Sequence, residues 1–179
     1  MGKLARWVIS LVLGVFVLVL AGLWIAGGGD GRWVHTATIR IDRPPEAIFP
    51  WLTEPEKLKV WVDGLLESTP VTHDGLRVGS RSREVVKEHG ERFEMETVIT
   101  ELNPPGLLGA TITGESFESR VRYELRGREG ATELTYFTDT QFDGLLFRVM
   151  EPLIGASAAD RIDADLERLK KAVESGDRS

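Results

Sequence analysis

Two stretches of the chain alternate between apolar and charged side chains, and a period of two is the pattern of a half-buried strand. Phe93, Met95, Thr97 and Ile99 fall on one face, with Arg92, Glu94 and Glu96 on the other. Phe117, Val121, Tyr123 and Leu125 do the same against Glu118, Arg120, Arg122 and Glu124. Such rows belong to an antiparallel sheet with one wet face. The apolar face must be covered by something else in the chain. The Glu and Arg rows can pair across strands, which serves register and solubility more than stability.

The remaining elements follow from turn chemistry. A first strand over 32–42 places Trp33, His35, Ala37, Ile39 and Ile41 on one face. Pro44-Pro45 ends it, and Pro45 opens a short helix carrying Ile48, Phe49 and Leu52, shortened or distorted by Pro50. Thr53 and Glu56 have capping-box spacing and start a second short helix running to about Trp61. Strand runs near 64–72, 77–88, 91–102, 107–113, 115–126 and 131–142 are separated by turns rich in Gly, Pro, Asp and Asn. The end is helical from about Leu145 to Val173. Ile162, Leu166, Leu169 and Val173 lie at helical spacing, and Pro152 and Gly155 are expected to kink or break the helix. This is an α+β order of about seven strands, in which the long last helix is the one large apolar cover. A curved sheet wrapped around one helix leaves space between them, a natural ligand cavity.

The 179 residues suit one domain with a short appendage. The appendage is an uncharged run of 20 residues, Trp7 to Ala26. As a helix it spans about 30 Å, the thickness of a bilayer's hydrocarbon core. Lys3 and Arg6 precede it, so the positive-inside rule puts the N-terminus in the cytoplasm and the domain outside the cell membrane. A cleaved signal peptide, with Val19 and Ala21 before the cut, and a buried core helix are the alternatives to this single-pass anchor. The expected organisation is an anchor over 1–26, a Gly-rich linker over 27–31, the domain over 32–175 and a disordered tail over 176–179. The whole chain carries a net charge of −6. An acidic balance argues against nucleic acid as a partner, because phosphate contacts need a basic footprint. The chain contains no cysteine, which excludes disulfides and thiolate sites.

The stretch from Ile39 to Trp61 contains Pro44-Pro45-Glu46-Ala47-Ile48-Phe49 and Leu52-Thr53-Glu54-Pro55-Glu56. It resembles the opening of the polyketide cyclase/dehydrase and lipid-transport family, within the START / Bet v 1-like (SRPBCC) superfamily. Val78-Gly79-Ser80-Arg81 and the segment Val98 to Gly106 resemble later segments of that family. The resemblance covers about 39–175; Pro50 and the Pro152/Gly155 interruption depart from it. It implies a helix-grip fold with an apolar cavity. It implies no single activity, because the superfamily includes lipid and hormone binders, aromatase/cyclases and chaperone activators.

Motifs for chemistry are sparse. The three histidines, His35, His73 and His89, lack metal-ligand spacing, and there is neither a nucleophile elbow nor a dinucleotide fingerprint, so no metal or cofactor is expected. Candidate cavity residues are Trp61, Glu84, Phe93, Met95, Tyr123, Tyr136 and Met150, with a plain core role as the alternative for Trp61, Phe93, Met95, Tyr123 and Tyr136. If Val78 and Val86 point inward, the period of two carries Glu84 inward too. The opposite phase turns Val85 inward and leaves Glu84 in solvent. Tyr136 and Thr138 share a face and are placed to offer hydroxyls to a polar ligand head. His35 on the apolar face of its strand reads as a satisfied core histidine before a ligand contact. The resulting expectation is a membrane-anchored protein that binds or transports a lipid or other hydrophobic small molecule. The rival expectations are a cyclase/dehydratase-like enzyme using the same cavity and a membrane interaction module.

Overall fold

Proline placement and register explain how the chain turns its alternating strands into one sheet. The computed structural model describes residues 13–15, 18, 22, 31–73, 75–88 and 90–176, without the side chains of 145–154. The elements run β1 (Arg32–Ile41), α1 (Pro45–Thr53), α2 (Pro55–Trp61), β2 (Leu65–Pro70), β3 (Arg81–Glu88), β4 (Glu91–Asn103), β5 (Leu107–Thr113), β6 (Phe117–Arg128), β7 (Ala131–Phe142) and α3 (Leu145–Ser175). The seven strands form one sheet in the order β1-β7-β6-β5-β4-β3-β2. Every neighbouring pair is antiparallel. The first and last strands of the chain are thus adjacent, while β2 lies at the far edge beside α2.

Two bulges help to bend this sheet. Register slips between Leu65 and Glu67 on β2 and between Ile99 and Glu101 on β4. An extra residue in one strand bends it and increases its twist. Just past the second bulge, Gly109 on β5 is paired with Glu101 on one side and Arg122 on the other. With no side chain at Gly109, Arg122 on β6 reaches across β5 to Glu101 on β4 at 3.3 Å. A Cβ at Gly109 would stand 2.9 Å from the Glu101 Cβ, so the bare backbone is what permits this crossing.

The core lies between the concave face and the helices. Ile41, Ile48, Leu134 and Leu169 have no solvent exposure, and Leu166 and Val173 bring the apolar stripe of α3 to them. That stripe lies where the helical spacing puts it. The wet face carries the expected charges, with Arg81 paired to Glu96 at 3.0 Å and Arg122 also paired to Glu124.

Several local expectations are corrected. Thr53 does not cap the second helix. It is the last residue of α1, its hydroxyl donates to the Phe49 carbonyl at 3.2 Å, and Glu54 holds the cap position of α2 ahead of Pro55. A proline in the first turn suits a helix start, since no donor is needed there. The 77–88 run becomes a strand only from Arg81, because Gly79 takes a φ of 87° in a turn that leaves Val78 56% exposed. Helix α3 also continues through Pro152 and Gly155 instead of breaking. Gly155 has a packing role: a Cβ there would lie 2.5 Å from Cδ1 of Trp33, so the glycine lets α3 settle on β1.

The Trp7–Ala26 run falls almost wholly outside the described residues. Leu13, Gly14, Val15, Leu18 and Gly22 within it are helical and exposed. Among the described residues, no helix is long and apolar enough to cross a membrane. The expected linker lies outside the described residues except for Gly31, as does the tail beyond Gly176.

Candidate functional site

The concave face of the sheet, α1, α2 and the middle of α3 enclose a cavity of about 560 Å³. Its wall is mainly apolar, with Leu52 and Leu58 from the short helices, Ile99, Leu108 and Ile112 from the sheet, and Ile162 and Leu166 from α3. Connection 71–80 contributes Thr72, His73, Gly75 and Leu76. Leu76 is 45% exposed, so the cavity reaches solvent along this segment, where Val71 and Val78 are also exposed.

Five of the seven candidate residues lie on this wall: Trp61, Glu84, Met95, Tyr123 and Tyr136. Trp61 is buried at the end of α2, and its indole N–H donates to the Trp51 carbonyl at 2.8 Å, which fixes the ring. Tyr123 and Tyr136 are register partners on β6 and β7, with ring centroids 4.9 Å apart and planes tilted by 53°. Burial drives the Tyr123 hydroxyl well above the usual phenol range, with Tyr136, Asp165 and Glu84 adding to the shift. Tyr136 is pushed up to about 12 by burial, against a lowering hydrogen bond with Thr138 and a raising contribution from Asp165.

Glu84 adopts the inward phase. It stands on β3 opposite Met95, and both of its carboxylate oxygens accept hydroxyl hydrogen bonds, Oε1 from Ser82 at 3.1 Å and Oε2 from Thr97 at 2.8 Å. Its pKa is raised: burial penalises the charge more than these two hydroxyls relieve it. Among the described residues it has no ion pair.

Phe93 does not join the wall. It keeps the face that alternation gives it, opposite Val86, but 48% of it is exposed near the β3–β4 turn. The side chain of Met150 lies outside the described residues. Thr138 is also absent from the wall; its hydroxyl meets that of Ser119 at 2.8 Å in a buried cluster that includes Thr140. His35 lies away from the cavity. It stacks on Trp33 at 5.6 Å and meets Asp163 of α3 at 3.3 Å, a strand-to-helix contact in keeping with a structural role.

Sequence reasoning missed Asp165. This residue lines the cavity from α3 and accepts from the Asp63 amide at 3.2 Å and from Arg168. Arg168 also donates to the Trp61 carbonyl at 3.0 Å, so the pair ties α3 to the end of α2. Burial raises the Asp165 pKa, opposed by the Asp63 amide and Arg168. A signal was present, since Asp165 lies three residues after Ile162 and four before Leu169, on the apolar stripe itself.

A seven-stranded antiparallel sheet curved over a C-terminal helix, with a cavity between them, defines a helix-grip fold. Residues 32–174 match the family described as "Polyketide cyclase / dehydrase and lipid transport", and the chain belongs to that family. Among solved structures, a conserved protein from Geobacillus kaustophilus is similar at 15% identity, over 78% of this chain and 94% of its own, with a TM-score of 0.68. TTHA0849 from Thermus thermophilus is similar at 16% identity, over 80% and 98%, with a TM-score of 0.66. Ara h 8.0201 is similar at 12% identity, over 81% and 99%, with a TM-score of 0.63. These likenesses concern the fold. No curated protein matches the chain.

Proposed function

We propose that the domain binds a lipid or other hydrophobic small molecule in the cavity, held at a membrane by the N-terminal run. The observation that carries this reading is a mainly apolar cavity of about 560 Å³. Ligand pockets usually measure about 300–1,000 Å³ with mainly apolar walls and a few placed polar groups. The family description, which names lipid transport, points the same way. Anchoring is supported by the 20 uncharged residues of Trp7–Ala26, and by the exposure of Leu13, Val15 and Leu18, which calls for an apolar surrounding. The charges of Lys3 and Arg6 favour a cytoplasmic N-terminus and an extracytoplasmic domain.

Titration of the full chain in nanodiscs with Nile red, corrected by empty nanodiscs, tests the binding reading. Saturable binding at one site per chain is expected, and its absence would refute the reading. Alkaline phosphatase fused after Ser179 tests topology, with activity expected for an exported domain and inactivity reversing the assignment.

A second reading, a cyclase/dehydratase-like enzyme, draws on one observation: Glu84 and Asp165 line the same cavity, both with raised pKa values. The binding reading is preferred because the cavity wall is mainly apolar and Asp165 is engaged with Arg168 and the Asp63 amide.

A further inference from the structure

Apart from the two tyrosines, the ionisable groups on the cavity wall among the described residues are Glu84, Asp165, Arg81 and His73. Their surroundings differ. Asp165 is neutralised by Arg168. Arg81 turns its charge to Glu96 on the wet face, with 56% of its side chain exposed. His73 belongs to connection 71–80, where the cavity meets solvent. Glu84 alone is a recessed carboxylate held only by neutral hydroxyls, with no ion pair among the described residues. Each of its oxygens accepts one hydroxyl hydrogen bond and has capacity for another.

Two further groups face the same space. Tyr123 and Tyr136 both line the cavity, and Tyr136 is only 8% exposed. Both rings therefore share one cavity with Glu84. Aromatic faces attract a cation through the negative face of the ring, more strongly when water is excluded. A carboxylate lacking a cation, in the same mainly apolar cavity as two tyrosine rings, matches one kind of ligand head.

We propose that the ligand of this cavity is an amphiphile with a cationic amine at its polar end, paired with Glu84 and faced by Tyr123 and Tyr136. This rests on the binding reading above and specifies it. An anionic head, such as that of a fatty acid, would bring like charge to Glu84 and is selected against. A neutral alcohol would gain the apolar burial but not the ion pair.

The test is calorimetric titration of the full chain in nanodiscs with octylamine, octanol and octanoate, using empty nanodiscs as the blank. The three probes share a chain and differ in the head. Octylamine is expected to bind about tenfold or more tightly than octanoate, since a hydrogen bond to a charged group contributes enough for a change of that order. Glu84→Gln keeps the shape and is expected to remove most of the preference for octylamine over octanol. Equal binding of the three probes, tightest binding of octanoate, or an unchanged preference in a folded Glu84→Gln chain would overturn the proposal while leaving the binding reading intact. Failure of all three to bind would overturn both. The wild-type comparison decides the matter even if Glu84→Gln does not fold.

Discussion

The Thr97 hydroxyl on β4 donates to Oε2 of Glu84 on β3 across 2.8 Å, one of two hydroxyls that hold this recessed carboxylate. Removing that donor leaves the charged form less supported. Thr97→Val is expected to raise the Glu84 pKa further and to lower stability at neutral pH by about 1 kcal/mol. Carboxyl-carbon NMR across a pH titration reads the first effect and urea unfolding the second. A Glu84 titration unchanged by the substitution would show that the bond does not matter.

The raised pKa values of Glu84 and Asp165 set a pH dependence with a definite sign. In each case the folded chain holds the proton more tightly than the unfolded chain. Their contribution is complete below the ordinary carboxylate values of 4.5 and 3.8 and is lost as pH rises through the folded values. Glu84→Gln removes one of these contributions. The stability of this variant relative to wild type is therefore expected to improve as pH rises from the acid side, then level off above the folded Glu84 pKa. Urea unfolding at a series of pH values measures it, and parallel curves would contradict the assignment.

Gly64 joins α2 to β2 with a φ of 74°, and a Cβ there would fall 2.4 Å from the Lys87 carbonyl oxygen. The Gly64 carbonyl accepts from the Lys87 amide at 2.8 Å, so the backbones cannot part without losing that bond. Gly130 has a similar φ of 82° in the β6–β7 turn but open space around it. Gly64→Ala should cost at least about 2 kcal/mol, while Gly130→Ala should cost about 1 kcal/mol, the conformational part alone. Equal losses by chemical denaturation would show that the close approach at Gly64 relaxes freely.

Ala110 is a small buried residue on the wall of the cavity. Ala110→Phe extends a ring into the empty volume. Nile red affinity is expected to fall about tenfold or more, with the melting temperature changed by only a few degrees, because the added atoms enter space that is free. Retained affinity would place the probe elsewhere.

The strand faces were legible in the sequence where one side is charged. On β6, Glu118, Arg120, Arg122 and Glu124 mark the wet side so clearly that Tyr123 could only point inward. On β3 the pattern was ambiguous, because Glu84 and Val85 competed for the inner face. Hydroxyls at Ser82 and Thr97, one of them on the next strand, admit the carboxylate. Phe93 shows another limit: alternation gives the face of a side chain, not how far the covering layer extends over it. Of the kink or break expected at Pro152 and Gly155, the break does not occur, and Gly155 instead serves the approach of α3 to Trp33. Asp165 was readable from helical spacing alone, yet a charge on an apolar stripe is recognised as a site only once Arg168 and the cavity are seen beside it.

Native mass spectrometry of the full chain released from membranes, followed by organic extraction of what it carries, tests the central claim most directly. A discrete added mass that extracts into organic solvent is expected, together with its loss in Ala110→Phe. A wild-type chain that carries no such mass and takes up no apolar ligand when one is supplied would contradict it.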